Sequence, residues 1–142
     1  MMKKRLKIDE AVKFSYPFVQ GVSKKRKGLG KEDQSQMACV RWFSLQYPNI
    51  LLHHSPNGGS RHLLEGAKFK KMGTVAGFSD IFIMKPARGF HGLFVELKVK
   101  PNKLTDKQEE FLQKAKAERY ATAVCYSFEE FVKVVTQYLK NS

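Results

Sequence analysis

The stretch GTVAGFSDIFIMKPARGFHGLFVELKVK, residues 73–100, sets the architecture of the chain. Apolar residues recur at every second position in IFIM and LFVELKV, the period of a strand, and PARGFHG between them carries the Pro and Gly of a turn. The stretch therefore predicts an antiparallel hairpin. Side chains along a strand point alternately to opposite faces. Ile81, Ile83, Val95, Leu97 and Val99 then face a core, while Asp80, Phe82, Met84, Phe94, Glu96 and Lys98 share the other face. Two carboxylates and an ammonium can converge there.

Outward from the hairpin, the other elements follow from period and punctuation. Gln36, Val40, Phe43 and Tyr47 lie within a narrow arc at 100° per residue, and Pro48 ends the run, so a helix is predicted from Glu32. NILLHH (49–54) reads as a short apolar strand running into SPNGGSR (55–61), whose Pro, Asn and paired glycines signal a loop. A short helix is predicted from about Leu63 to Met72. Thr105 opens a further helix with a capping box, because Gln108 stands three residues on, and its stripe is Gln108, Phe111, Leu112 and Ala115. ATAVCY (121–126) is a buried strand, and SFEEFVKVVTQYLK (127–140) a closing helix with Phe128, Phe131, Val132, Val135, Tyr138 and Leu139 on one face. The order from residue 32 is helix, strand, short helix, two strands, helix, strand, helix. That is a layered α/β domain, with the polar face of the hairpin partly covered by a helix.

Charge points to an anionic partner. Lys and Arg number 26 against 13 Asp and Glu, and the sequence pI is about 9.8. Residues 1–31 hold 10 basic and 2 acidic side chains, so 10 − 2 = +8 of the net +13 sits there. That segment divides off as a basic arm, with Lys24, Lys25, Arg26 and Lys27 as candidate DNA contacts, ahead of a domain spanning 32–142. A solvated tail is the alternative for such a run. The basic body, with no amphipathic basic helix carrying Trp and Leu, favours nucleic acid over membrane. No apolar run long enough for a membrane span and no secretory pattern is present, so a soluble protein of the cytoplasm is expected. Cys39 and Cys125, two thiols amid apolar neighbours, suit reduced core positions rather than a zinc cage or disulfide framework.

Clustered carboxylates repel one another unless a cation neutralises them, and a divalent metal does so best. Oxygen ligands suit Mg²⁺ or Mn²⁺, which take one or two carboxylates and keep several waters. Lys98 would then orient water or stabilise charge on a phosphate. On pattern alone an ordinary surface ion pair among Asp80, Glu96 and Lys98 is the competing reading. Three features count against it: Glu32 sits one turn before the first helical arc, Gln36 and Gln108 each interrupt an apolar stripe, and the basic surplus supplies a substrate. His53 and His54 adjoin a strand end, where packing or a DNA contact outweighs metal binding. Trp42 suits the core or an interface, and Glu65, Glu109 and Glu110 suit solvated helix faces.

From Glu32 onward the chain resembles the VRR-NUC family (virus-type replication-repair nucleases), a branch of the PD-(D/E)XK nucleases. EDQSQ, PNGGSR, GTVAGFSD and FVELKVKPNKLTDKQEEFL carry the resemblance in the right order. It implies a restriction-endonuclease-like core, a mixed central sheet flanked by helices. It also implies one or two Mg²⁺ or Mn²⁺ ions held by Glu32, Asp80, Glu96 and the carbonyl of Leu97, with Lys98 as catalytic lysine. Gln108 matches the family's glutamine after the ExK strand, and Asn57 and Arg61 its polar loop, with Arg61 a candidate phosphate clamp. Ser79 stands where the family commonly has Pro, and Asp33 lies close enough to Glu32 on the helical wheel to face the same way.

The activity implied is metal-dependent, structure-selective cleavage of DNA, with no nucleotide cofactor, in a bacterial or phage-infected cell. Stand-alone members of the family resemble homodimeric Holliday-junction resolvases of recombination and repair, common in phages, which nick opposed strands. A general or flap- and fork-directed endonuclease, or a non-catalytic basic DNA-binding module, are the alternatives.

Overall fold

The computed structural model describes residues 30–56 and 63–142. In chain order it contains α1 (Lys31–Gln46), β1 (Leu51–His54), α2 (Leu63–Lys71), β2 (Ile81–Met84), β3 (Leu93–Leu97), α3 (Asp106–Ala117), β4 (Ala121–Cys125) and α4 (Phe128–Tyr138). This is the order expected from the sequence. The basic arm with Lys24, Lys25, Arg26 and Lys27, and the loop residues Asn57 and Arg61, lie outside the described residues.

The sheet runs β1-β2-β3-β4, antiparallel except for the parallel β3–β4 pair. Parallel neighbours cannot be joined by a tight turn, and α3 makes the crossover between them. The hairpin register pairs Ile81 with Val95, Phe82 with Phe94 and Ile83 with Leu93. Alternation then builds two cores, one on each face of the sheet. On one face Ile81, Ile83, Leu93, Val95 and Leu97 meet Cys39, Trp42 and Phe43 of α1 and Phe131, Val132 and Val135 of α4. On the other, Phe94 meets Leu112 and Ala115 of α3, with Phe78, Phe82, Phe111 and Tyr120 packed around them. β3 is buried at every position because both faces are covered, so Glu96 enters the interior with its apolar neighbours.

Local chemistry sets the helix ends. The capping box on α3 is complete: Thr105 Oγ1 accepts from the Gln108 backbone N–H at 3.2 Å, and Gln108 Oε1 accepts from the Thr105 N–H at 2.9 Å. On α4, Ser127 Oγ accepts from the Glu130 N–H at 3.1 Å, while Glu130 accepts from the Tyr126 N–H at 2.6 Å. Glu109 and Glu110 are exposed on α3, Glu110 between Lys107 and Lys114.

One face differs from expectation. The buried arc of α1 is Cys39, Trp42, Phe43 and Gln46, not Gln36, Val40, Phe43 and Tyr47. The helix is rolled because it packs on α4 as well as on the sheet, with Trp42 edge-on to both Phe128 and Phe131. Trp42 is thus a core residue, and Cys39 and Cys125 are buried free thiols. Among the described residues no helix is long and apolar enough to cross a membrane.

Candidate active site and metal centre

The hairpin brings its acidic residues together at one end. Antiparallel register continued one step beyond the Ile81–Val95 pair sets Asp80 opposite Glu96. Positions directly opposite on a shared face place their side chains within contact. Asp80 is gripped from both neighbours. Its carbonyl accepts from the Ser55 N–H at 2.8 Å and lies 3.1 Å from His54 Nδ1, at the end of β1, while its Oδ2 accepts from the Leu97 N–H of β3 at 2.8 Å. The Lys98 N–H donates to the Cys125 carbonyl at 2.9 Å, which turns that backbone toward β4. Alternation turns the N–H and C=O of Leu97 the opposite way, toward the edge where Asp80 stands.

Glu96 is almost inaccessible, at 1% exposure. Gln108 Nε2 donates to its Oε1 at 2.8 Å, and Lys98 Nζ lies 3.9 Å from the same oxygen. Gln108 therefore serves two elements: its carbonyl oxygen caps α3 and its amide nitrogen holds the carboxyl of β3. The second oxygen, Oε2, is buried without a hydrogen-bond partner. Burial, then the adjacent Asp80 charge, push the Glu96 carboxyl up to about 8, against the pull of Lys98. Gln108 and Lys98 offset part of the cost of burying this carboxyl, but the unpartnered Oε2 has no such compensation among the described residues. Such a group is a signature of a functional site.

The approach of α3 depends on Gly77. A Cβ at that position would run into the Lys107 carbonyl and the Gln108 N–H, and its φ of +77° is one that L side chains rarely adopt. Glycine lets the segment leading to Asp80 lie directly on the first turn of the helix that carries Gln108.

Asp80, Glu96, Leu97, Lys98 and Gln108 thus meet in one place. Glu32 does not join them: it is exposed in the first turn of α1, as is Asp33, and no group of three or more His, Cys, Asp or Glu side chains among the described residues is placed to hold a metal ion. Ser79, in the position before the motif Asp, is fully buried with its hydroxyl unpartnered, and the strand enters in register nonetheless. Sequence reasoning missed two supports. His54 acts on the backbone of Asp80, a contact that no spacing rule gives, whereas the isolated Gly77 just before a strand was a visible sign of close backbone approach.

One Asp and one Glu on adjacent strand ends, a lysine two residues beyond the Glu and a mixed sheet between helices are the features of a restriction-endonuclease-like fold. The sequence profile of the VRR-NUC domain matches residues 30–129. The chain belongs to the VRR-NUC family. A solved structure described as a "VRR_NUC domain protein" superposes with a TM-score of 0.56 at 26% identity, over 96% of this chain and 91% of that one. No curated protein is significantly similar in sequence.

Proposed function

We propose that the chain is a metal-dependent, structure-selective DNA endonuclease that resolves four-way junctions as a homodimer by paired nicks. The observation that carries this reading is the buried Glu96, with one oxygen held by Gln108 and the other unpartnered, facing Asp80. A divalent cation fits that arrangement. The available donors are hard oxygens, Asp80, Glu96 and the Leu97 carbonyl, and Mg²⁺ takes one or two carboxylates and completes its shell with water. Bound there, Mg²⁺ or Mn²⁺ would supply Lewis acidity and neutralise charge on the scissile phosphate.

The side chains divide the remaining work. Lys98 orients the attacking water and donates to the phosphate oxygens. Water adds to phosphorus as the P–O3′ bond breaks, which leaves a 3′-hydroxyl and a 5′-phosphate. Gln108 keeps the Glu96 carboxyl fixed throughout. The family resemblance makes Glu32 a further metal ligand, although here it is exposed in the first turn of α1. Ser55, whose N–H donates to the Asp80 carbonyl, stands two residues before Asn57 in the sequence, in keeping with Asn57 and Arg61 as phosphate contacts. The arm residues Lys24, Lys25, Arg26 and Lys27 would add sequence-independent affinity. A homodimer supplies the second site that symmetric nicking needs.

A second reading has one observation in its favour: among the described residues no third acid joins Asp80 and Glu96, as suits a basic DNA-binding module. Cleavage of a four-way junction and of linear duplex, each with Mg²⁺, Mn²⁺ or EDTA, separates the readings. Paired metal-dependent nicks in the junction alone support resolution. Equal cutting of both substrates supports a general endonuclease, and tight binding without cleavage supports the module.

A further inference from the structure

The turn between α2 and the catalytic strand carries a feature that the chemistry of the site does not use. Met72 is 70% exposed and Val75 53% exposed, and Lys68, Lys70 and Lys71 form the last turn of the helix just before them. Large apolar side chains gain nothing from water, and those standing singly on a surface are common; two within four residues, following three lysines, are less so. The turn is also well braced. Gly73, at φ +102°, donates to the Lys70 carbonyl at 3.1 Å, Thr74 to the Phe69 carbonyl at 3.0 Å and Phe78 to the Val75 carbonyl at 3.4 Å. Its far end is fixed at Gly77, whose backbone rests on Lys107 and Gln108 of α3.

That anchor locates the turn. Val75 is two residues from Gly77, a span of at most about 7 Å. Gly77 touches the backbone of the residue whose side chain holds Glu96. The exposed apolar pair therefore lies on the segment that leads to Asp80, in a turn closed by three backbone hydrogen bonds.

We infer that Met72 and Val75 form a wedge that enters an opened base step of branched DNA, with Lys68, Lys70 and Lys71 on the flanking phosphates. The inference rests on the DNA-cleavage reading and deepens it by naming what could select branched over linear substrate. Apolar side chains inserted between bases need stacking to be lost, and that cost is smallest where stacking is already interrupted. The lysines supply charge complementarity that holds for any sequence. Such an insertion would favour branched over linear DNA without reading base sequence.

The test uses the full-length protein and a four-way junction with 2-aminopurine at the branch point, in EDTA so that nothing is cut. Wild type is expected to raise 2-aminopurine emission on binding, and the double variant Met72→Ser, Val75→Ser to lose most of that rise. The same variant should bind the junction about tenfold more weakly while its affinity for linear duplex holds. Its melting temperature should match wild type, since neither side chain is buried. Leu45→Ser, an exposed apolar residue on α1, should leave the emission unchanged. Junction binding without a rise in emission, or a double variant with the wild-type rise, overturns the wedge alone. Failure of wild type to cut any DNA with Mg²⁺ or Mn²⁺ instead overturns the reading beneath it.

Discussion

Glu96 concentrates the physical tension of the molecule. Its carboxyl is pushed up to about 8 from an ordinary 4.5. A carboxyl raised in the folded state stabilises the fold fully below the unfolded value and loses that contribution as pH climbs through the folded one. In EDTA, thermal stability should therefore fall between about pH 4.5 and 8 and level off above, and Glu96→Gln should flatten that slope. A divalent cation needs the charged form, so the stabilisation it gives should grow from about pH 6 to about pH 8.5; thermal melts with and without Mn²⁺ at both values check this. On catalysis, Asp80→Asn or Glu96→Gln should cut junction cleavage to about a thousandth or less with DNA binding retained. Glu32→Gln should cost far less, because Glu32 stands outside the acidic pair. Gln108→Ala removes both a cap and the hold on Glu96. It should slow cleavage about 10- to 100-fold and cost about 1 kcal/mol in stability, measured by single-turnover kinetics and urea unfolding.

Each element places one part of the site, and the contacts between elements decide whether the parts meet. Gly77→Ala tests this most simply. An added methyl both meets the start of α3 and resists the left-handed backbone, so a loss of about 1–3 kcal/mol is expected, with slower cleavage at temperatures where the variant is still folded. Element by element, much of this was legible in the sequence. The hairpin faces follow from a period of two, and the capping box of α3 from Thr105 and Gln108, because both signals are local. The orientation of α1 was not legible. Gln36, Val40, Phe43 and Tyr47 make as good an arc on a wheel as Cys39, Trp42, Phe43 and Gln46, and only the rings of α4 choose between them. The same holds for the site. Asp80, Glu96 and Lys98 could be aligned by alternation, whereas the grip of His54 and Ser55 on Asp80 depends on how β1 pairs, which no residue pattern dictates.

For the molecule as a whole, the proposed reading divides the work: charge would govern the encounter with DNA, and the buried Glu96 with the half-buried Asp80 would govern its cleavage. The net charge of +13 includes +8 in residues 1–31. Deleting residues 1–27 should weaken DNA binding and flatten its dependence on salt, read from affinities over a salt series, because fewer counterions are released. Unchanged affinity would return that segment to a solvated tail. The proposed cleavage turns on a narrower point, that a divalent ion binds between Asp80 and Glu96. Diffraction from a crystal soaked in Mn²⁺, recorded at the manganese edge, puts that point to the test. An anomalous peak about 2 Å from carboxylate oxygens of both residues and from the Leu97 carbonyl is the expected result. No peak there, in a crystal that takes up manganese elsewhere, would contradict it.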